Sequence, residues 1–161
     1  MKLHSGWLAA GLLLAVVLAC NTSKNSNNNN SNSNTNKNTN SATTNRPANA
    51  DVYVDQISMA KDNDGDPGDT TTVFEPGDRT IHCVAELNKA KKGTEVRFVW
   101  KAVDVSGGKN VELTTIDYTT KSFENKVHGH VTKPSDWPTG SYKVEVYING
   151  ALDKTISYTV E

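Results

Sequence analysis

Tyr142-Lys143-Val144-Glu145-Val146-Tyr147-Ile148-Asn149-Gly150-Ala151-Leu152 is the stretch from which the fold can be read. Tyr142, Val144, Val146 and Ile148 recur at every second position, which places them on one face of a strand with polar side chains opposite. Asn149-Gly150 follows, a pair that readily takes the positive φ values a two-residue hairpin turn needs. A second strand, Leu152–Val160, then returns along the first. Outward from this hairpin, five more runs alternate in the same way: Val52–Met59, Arg79–Leu87, Glu95–Val105, Val111–Tyr118 and Phe123–Thr132. Turn residues separate them at Pro76-Gly77-Asp78, Lys92-Gly93, Gly107-Gly108 and Pro138-Thr139-Gly140. No stretch has the 3.6-residue period of an amphipathic helix. Seven short strands within residues 51–161 predict an all-β domain, an antiparallel sandwich.

Alternation also assigns the faces. Ile81, Cys83, Ala85 and Leu87 point one way, and His82, Val84 and Glu86 the other; Val96, Phe98 and Trp100 share a face, as do Phe123, Val127 and Val131. Cys83 on the second run, Trp100 on the third and Tyr142-Lys143-Val144 opening the sixth resemble an immunoglobulin-type or fibronectin-like domain. Such a domain carries a cysteine, a core tryptophan and a Tyr-x-Cys corner at these places. Val144 stands where the second cysteine would be, so the resemblance implies a single immunoglobulin-like sandwich without its disulfide. Cys83 is then expected to serve as a small apolar core residue.

The N-terminal half reads differently. Lys2 precedes the apolar run Trp7 to Ala19, which is too short for a comfortable transmembrane helix of roughly 20 residues and suits a secretory signal. Val17-Leu18-Ala19-Cys20 resembles the lipobox of bacterial lipoproteins. That resemblance implies a signal peptide over 1–19, cleavage before Cys20, and lipid on the Cys20 sulfur and amino group. Residues 20–50 then form a tether rich in Asn, Ser and Thr, with no face to bury and an expected span of roughly 30 Å. Two or three acyl chains hold a protein stably in a membrane, where one is marginal. Asn21, not Asp, follows the cysteine, and the resemblance to that family then implies export to the outer membrane if the cell has one.

Charge divides at the same boundary. All 18 acidic residues lie from Asp51 onward, whereas four of the 17 basic ones (Lys2, Lys24, Lys37 and Arg46) precede it. An acidic domain lacks the basic stripe that phosphate backbones require, so nucleic acid is not an expected partner.

Candidate sites are few. Asp62-Asn63-Asp64-Gly65-Asp66-Pro67-Gly68-Asp69 sets Asp62, Asp64, Asp66 and Asp69 close together, and hard oxygen donors suit Ca²⁺. It is not a helix-loop-helix calcium loop, because Pro67 occupies the glycine position and Val73 the bidentate glutamate position. His128 and His130 share a strand face, and His82 faces outward on the strand expected beside it, a set that suits Zn²⁺. No G-x-S-x-G elbow surrounds Ser106, no phosphate-binding glycine loop opens a helix, and a buried Cys83 is inert, so an enzyme is not expected. The expectation is a lipid-anchored envelope protein whose sandwich binds a protein or glycan through exposed Trp137 and Tyr147. The alternative is a structural envelope component that self-associates or joins a larger complex by an edge strand. A metal-binding surface protein is the third reading.

Overall fold

A computed structural model of the protein describes residues 42–161, and the expectations for the signal, for Cys20 and for most of the tether lie outside these residues. Ten strands follow in order: β1 (Ala42–Thr44), β2 (Val54–Asn63), β3 (Asp66–Thr70), β4 (Val73–Phe74), β5 (Thr80–Leu87), β6 (Glu95–Val105), β7 (Gly108–Thr119), β8 (Lys126–Thr132), β9 (Gly140–Ile148) and β10 (Ala151–Val160). One sheet runs β1-β10-β9-β6-β7, with β4 beside β10; the other runs β3-β2-β5-β8. Every pairing is antiparallel except β4 with β10. The expected all-β immunoglobulin-like sandwich is therefore what the chain forms, its seven alternating runs being β2 and β5–β10.

Side-chain alternation drives the two sheets together. Val96, Phe98 and Trp100 of β6, with Val144 and Val146 of β9, face Met59, Ile81, Cys83 and Ala85 across the sandwich, all with 1% exposure or less. Cys83 is a free thiol, and burial pushes its ionisation far above the usual range, so it fills space as expected. Tyr158 is the hub of one end: Tyr142 stacks on it at 5.1 Å, and Phe74 and Trp100 meet it edge-on at 5.5 and 6.1 Å. Tyr142 donates its hydroxyl to the Pro138 carbonyl at 2.6 Å, the back-bonded corner that its position implied. Asn149 and Gly150 have φ of 49° and 83°, the turn their sequence called for.

Three boundaries differ from the sequence reading. The ordered domain begins before residue 51: Ala42, Thr43 and Thr44 pair with Ile156, Thr155 and Lys154, and Asn45 N donates to Asp153 O at 2.7 Å. Three residues have too little alternation to announce a strand, and only the open side of β10 makes them one. The Asp-rich loop is a hairpin. Asp64 and Gly65 turn with φ of 55° and 95°, sending β3 back along β2 with a bulge between Ala60 and Asp62. Gly68 permits the close approach, since a Cβ there would sit 3.0 Å from the Asn63 Cβ. Finally, β8 begins at Lys126, not at Phe123.

Candidate functional site

The two polar clusters that the sequence presents separately meet on the outer face of the four-stranded sheet. β5 lies between β2 and β8, with His82 opposite Ala60 on one side and His130 on the other. His128 shares the His130 face of β8, so strand geometry alone brings three rings together. Their centroids lie 5.2 Å (His82 to His130), 5.5 Å (His82 to His128) and 6.3 Å (His128 to His130) apart. His82 points outward as expected but is not exposed: its side chain has no accessible surface. The curled β2–β3 hairpin lies against this face. Asp62 accepts a hydrogen bond from His82 Nε2 at 2.7 Å, and Pro67 shares a hollow with Val84 and His128.

The electrostatics follow from that packing. The bond from His82 holds the Asp62 carboxyl below the usual carboxylate range. Burial pushes His128 below the ordinary histidine value, the charges of His82 and His130 add to this, and Asp66 opposes it. His82 Nδ1 and His128 Nδ1 are both buried without a hydrogen-bond partner.

The four aspartates do not form a common ligand set. Asp62 is committed to His82, Asp64 sits in the turn, and Asp66 and Asp69 lie on β3. Among the described residues no group of three His, Cys, Asp or Glu side chains converges, as they stand, tightly enough to hold a metal ion.

The aromatic residues expected to make contacts are placed otherwise. Trp137 is 3% exposed rather than free. Its Nε1 donates to the Arg79 carbonyl at 3.2 Å, and its ring meets Tyr142 edge-on at 5.5 Å, because the 133–139 loop folds back over the open end of the core. Tyr147 is half-buried and donates to Glu145 Oε2 at 3.0 Å. Glu145 also takes Lys101 and Lys143 at 2.8 Å each. Burial alone would raise this carboxyl, but the bonds from Lys101, Lys143 and Tyr147 together hold it at about 2. Tyr147 thus belongs to a braced polar network on the sheet surface.

Phe123 is a surface group that the alternation of the sequence does not reveal. Its spacing from Val127 and Val131 fits a strand face, yet it sits in the β7–β8 turn at φ 64° and is 94% exposed. The turn formers Ser122 and Asn125 on either side were the available signal. The loop around it is braced. Glu124 accepts from Tyr118 Oη and from Lys121 N, both at 2.7 Å, and Asn125 O accepts from Leu87 N at 2.6 Å. The neighbouring β5–β6 loop is tied on by Gly93 N to Thr120 O at 2.9 Å, bringing Lys89, Lys91 and Lys92 to the same end. Lys89 and Lys91 both pair with Asp51.

No protein-family model matches the chain, and no curated protein matches it significantly. Among solved structures, it is similar to an immunoglobulin-like protein of Pseudomonas aeruginosa, with 14% identity and a TM-score of 0.50 over 71% of this chain and all of that one. It also matches the Pseudomonas fluorescens alkylpurine DNA glycosylase AlkC bound to DNA containing an abasic site analogue, with 14% identity and a TM-score of 0.41. That match covers 70% of this chain and 31% of that one. At such identity the first likeness speaks to the fold: the chain carries an immunoglobulin-like β-sandwich.

Proposed function

We propose that this is a lipid-anchored envelope protein whose immunoglobulin-like domain binds a protein partner through the loop end that carries Phe123. One observation carries the binding half. An aromatic ring is held at 94% exposure on a left-handed residue, in a loop braced by hydrogen bonds. Such a placement gives the fold almost no burial and costs backbone strain of roughly 1–2 kcal/mol. A rigid, exposed aromatic is instead suited to a pocket on another surface, because its ordering entropy is already spent. Lys121 shares its loop, and Lys92 lies in the loop tied to that one through Gly93 N and Thr120 O, so a matching pocket is apolar with an acidic rim.

The anchor half rests on Val17-Leu18-Ala19-Cys20 at the end of an apolar run, with the Asn-rich stretch as spacer. Cys20→Ala is expected to abolish radiolabelled fatty-acid incorporation and membrane fractionation; unchanged labelling overturns it. For binding, the full chain and its Phe123→Asn variant are immobilised and exposed to envelope extract. A protein retained by the first and lost by the second supports the reading, and equal retention refutes it.

A second reading has its own observation. β7 is an edge strand of twelve residues, with Val111 and Leu113 exposed at 46% and 42%. An open edge of that length can pair with another copy. Concentration-dependent association of the purified chain, seen by sedimentation and abolished by Leu113→Lys, would favour self-assembly over a heterologous partner.

A further inference from the structure

Three of the chain's four histidines converge on one sheet face, and a carboxylate stands behind one of them. We propose that His82, His128 and His130 bind one borderline divalent transition-metal ion of the Zn²⁺ class, with Asp62 as the outer carboxylate that orients His82.

The chemistry of His82 is the starting point. An ionised carboxylate can only accept, so the 2.7 Å contact places a proton on His82 Nε2. In the neutral ring Nδ1 then carries a lone pair, and this atom is buried with no partner. Carboxylate to N–H, with the opposite nitrogen free, is the arrangement by which metal-binding histidines are held in one tautomer and orientation. His128 Nδ1 is a second buried nitrogen without a partner. Buried polar atoms are seldom left unpaired, and two on adjacent imidazoles share one explanation if an ion takes both lone pairs.

Spacing agrees. With Zn–N near 2.0–2.1 Å, ring centroids lie roughly 3 Å from the metal and about 5 Å from one another in a tetrahedral site. The observed separations run from 5.2 to 6.3 Å. As they stand the side chains do not converge: among the described residues no group of three His, Cys, Asp or Glu is placed to hold an ion, and the His82 and His128 rings lie stacked, 19° from parallel. Completing the set requires rings to turn, and His130 is free to do so. It is exposed and lines an open cleft of about 500 Å³ between the edge strands β7 and β8. A fourth position remains for water, as in three-histidine zinc sites. Imidazole donors select zinc, copper or nickel over calcium and magnesium.

The test uses the full chain made without a polyhistidine tag and stripped with chelator. Titration with Co²⁺ is followed by visible absorption, and with Zn²⁺ by competition and thermal melting. One Co²⁺ per chain with four-coordinate bands is expected, together with a raised melting temperature in Zn²⁺ but not in Ca²⁺. His130→Gln, at an exposed position and so expected to fold, should weaken binding at least about tenfold, and Asp62→Asn about 10–100-fold. Absence of uptake overturns the proposal, as does uptake indifferent to both His128→Gln and His130→Gln in variants whose metal-free melts match the parent. Stabilisation by Ca²⁺ alone, lost in Asp64→Asn, would overturn it in favour of the acidic hairpin.

Discussion

Replacing Phe123 by asparagine should make the domain more stable, the reverse of the usual result of exchanging an aromatic residue for a polar one. Phe123 is 94% exposed, so only about a twentieth of the 150–250 Å² a phenylalanine can bury is in contact with the fold. At roughly 25 cal/mol per Å², deleting that contact costs about 0.3 kcal/mol. Against this stands the left-handed backbone at φ 64°, which costs an L-residue roughly 1–2 kcal/mol and which asparagine tolerates through local hydrogen bonding. The net expectation is a gain of about 0.5–1.5 kcal/mol. Urea titration monitored by circular dichroism measures it. With a slope of about 1–3 kcal/mol per molar, the midpoint rises by a few tenths of a molar or more while the slope stays constant. A loss of more than about 0.5 kcal/mol at unchanged slope would refute the reasoning, because it would mean that the ring packs on this domain rather than waiting for another surface.

Other substitutions test the interior. Trp100 is fully buried between the sheets, so Trp100→Ala should cost about 3–5 kcal/mol in the same urea assay; a near-neutral result would remove it from the core. Tyr158 Oη is buried with no partner, and Tyr158→Phe should stabilise by about 1 kcal/mol, whereas a loss above that size would reveal a bond to this hydroxyl. A Cβ on Gly140, at φ 141°, would stand 2.3 Å from the Asp104 carbonyl oxygen. Gly140→Ala should therefore lower the melting temperature by well over the few degrees that 1 kcal/mol produces, and an unchanged melt would contradict the packing. The Glu145 carboxyl, held at about 2 against an ordinary 4.5, binds fewer protons folded than unfolded between those values. Its contribution is complete above pH 4.5 and disappears as pH falls towards about 2, at most about 3 kcal/mol. Glu145→Gln should flatten the acid limb of a stability–pH curve over that window, and an unaltered limb would show that the three-donor network adds nothing.

The seven long strands were legible because each buries every second side chain. Val96-Arg97-Phe98-Val99-Trp100 and Tyr142 to Ile148 carry that period openly, and Asn149-Gly150 states its own turn. The core roles of Cys83, Trp100 and Val144 followed from the same alternation. Short or polar elements carry no such signal. β1 exists only because β10 offers an open side, and β3 only because Asp64-Gly65 turns an acidic stretch back on β2. Trp137 read as a surface aromatic because nothing local shows that its loop folds over Tyr142. Phe123 read as a strand residue because a spacing of four fits a strand face and a turn equally well.

By itself, then, the sequence determined the sandwich, its hairpin and the inward side chains, since these depend on a period of two and on turn chemistry within a few neighbouring residues. It also placed His82, His128 and His130 on neighbouring strands. Only the tertiary structure decided which polar groups meet: Asp62 reaches His82 across twenty residues because a bulge between Ala60 and Asp62 curls one hairpin onto the sheet. Exposure was settled at the same level, burying His82 and Trp137 and leaving Phe123 in solvent, because exposure depends on what packs on top of a residue and not on its neighbours in the chain.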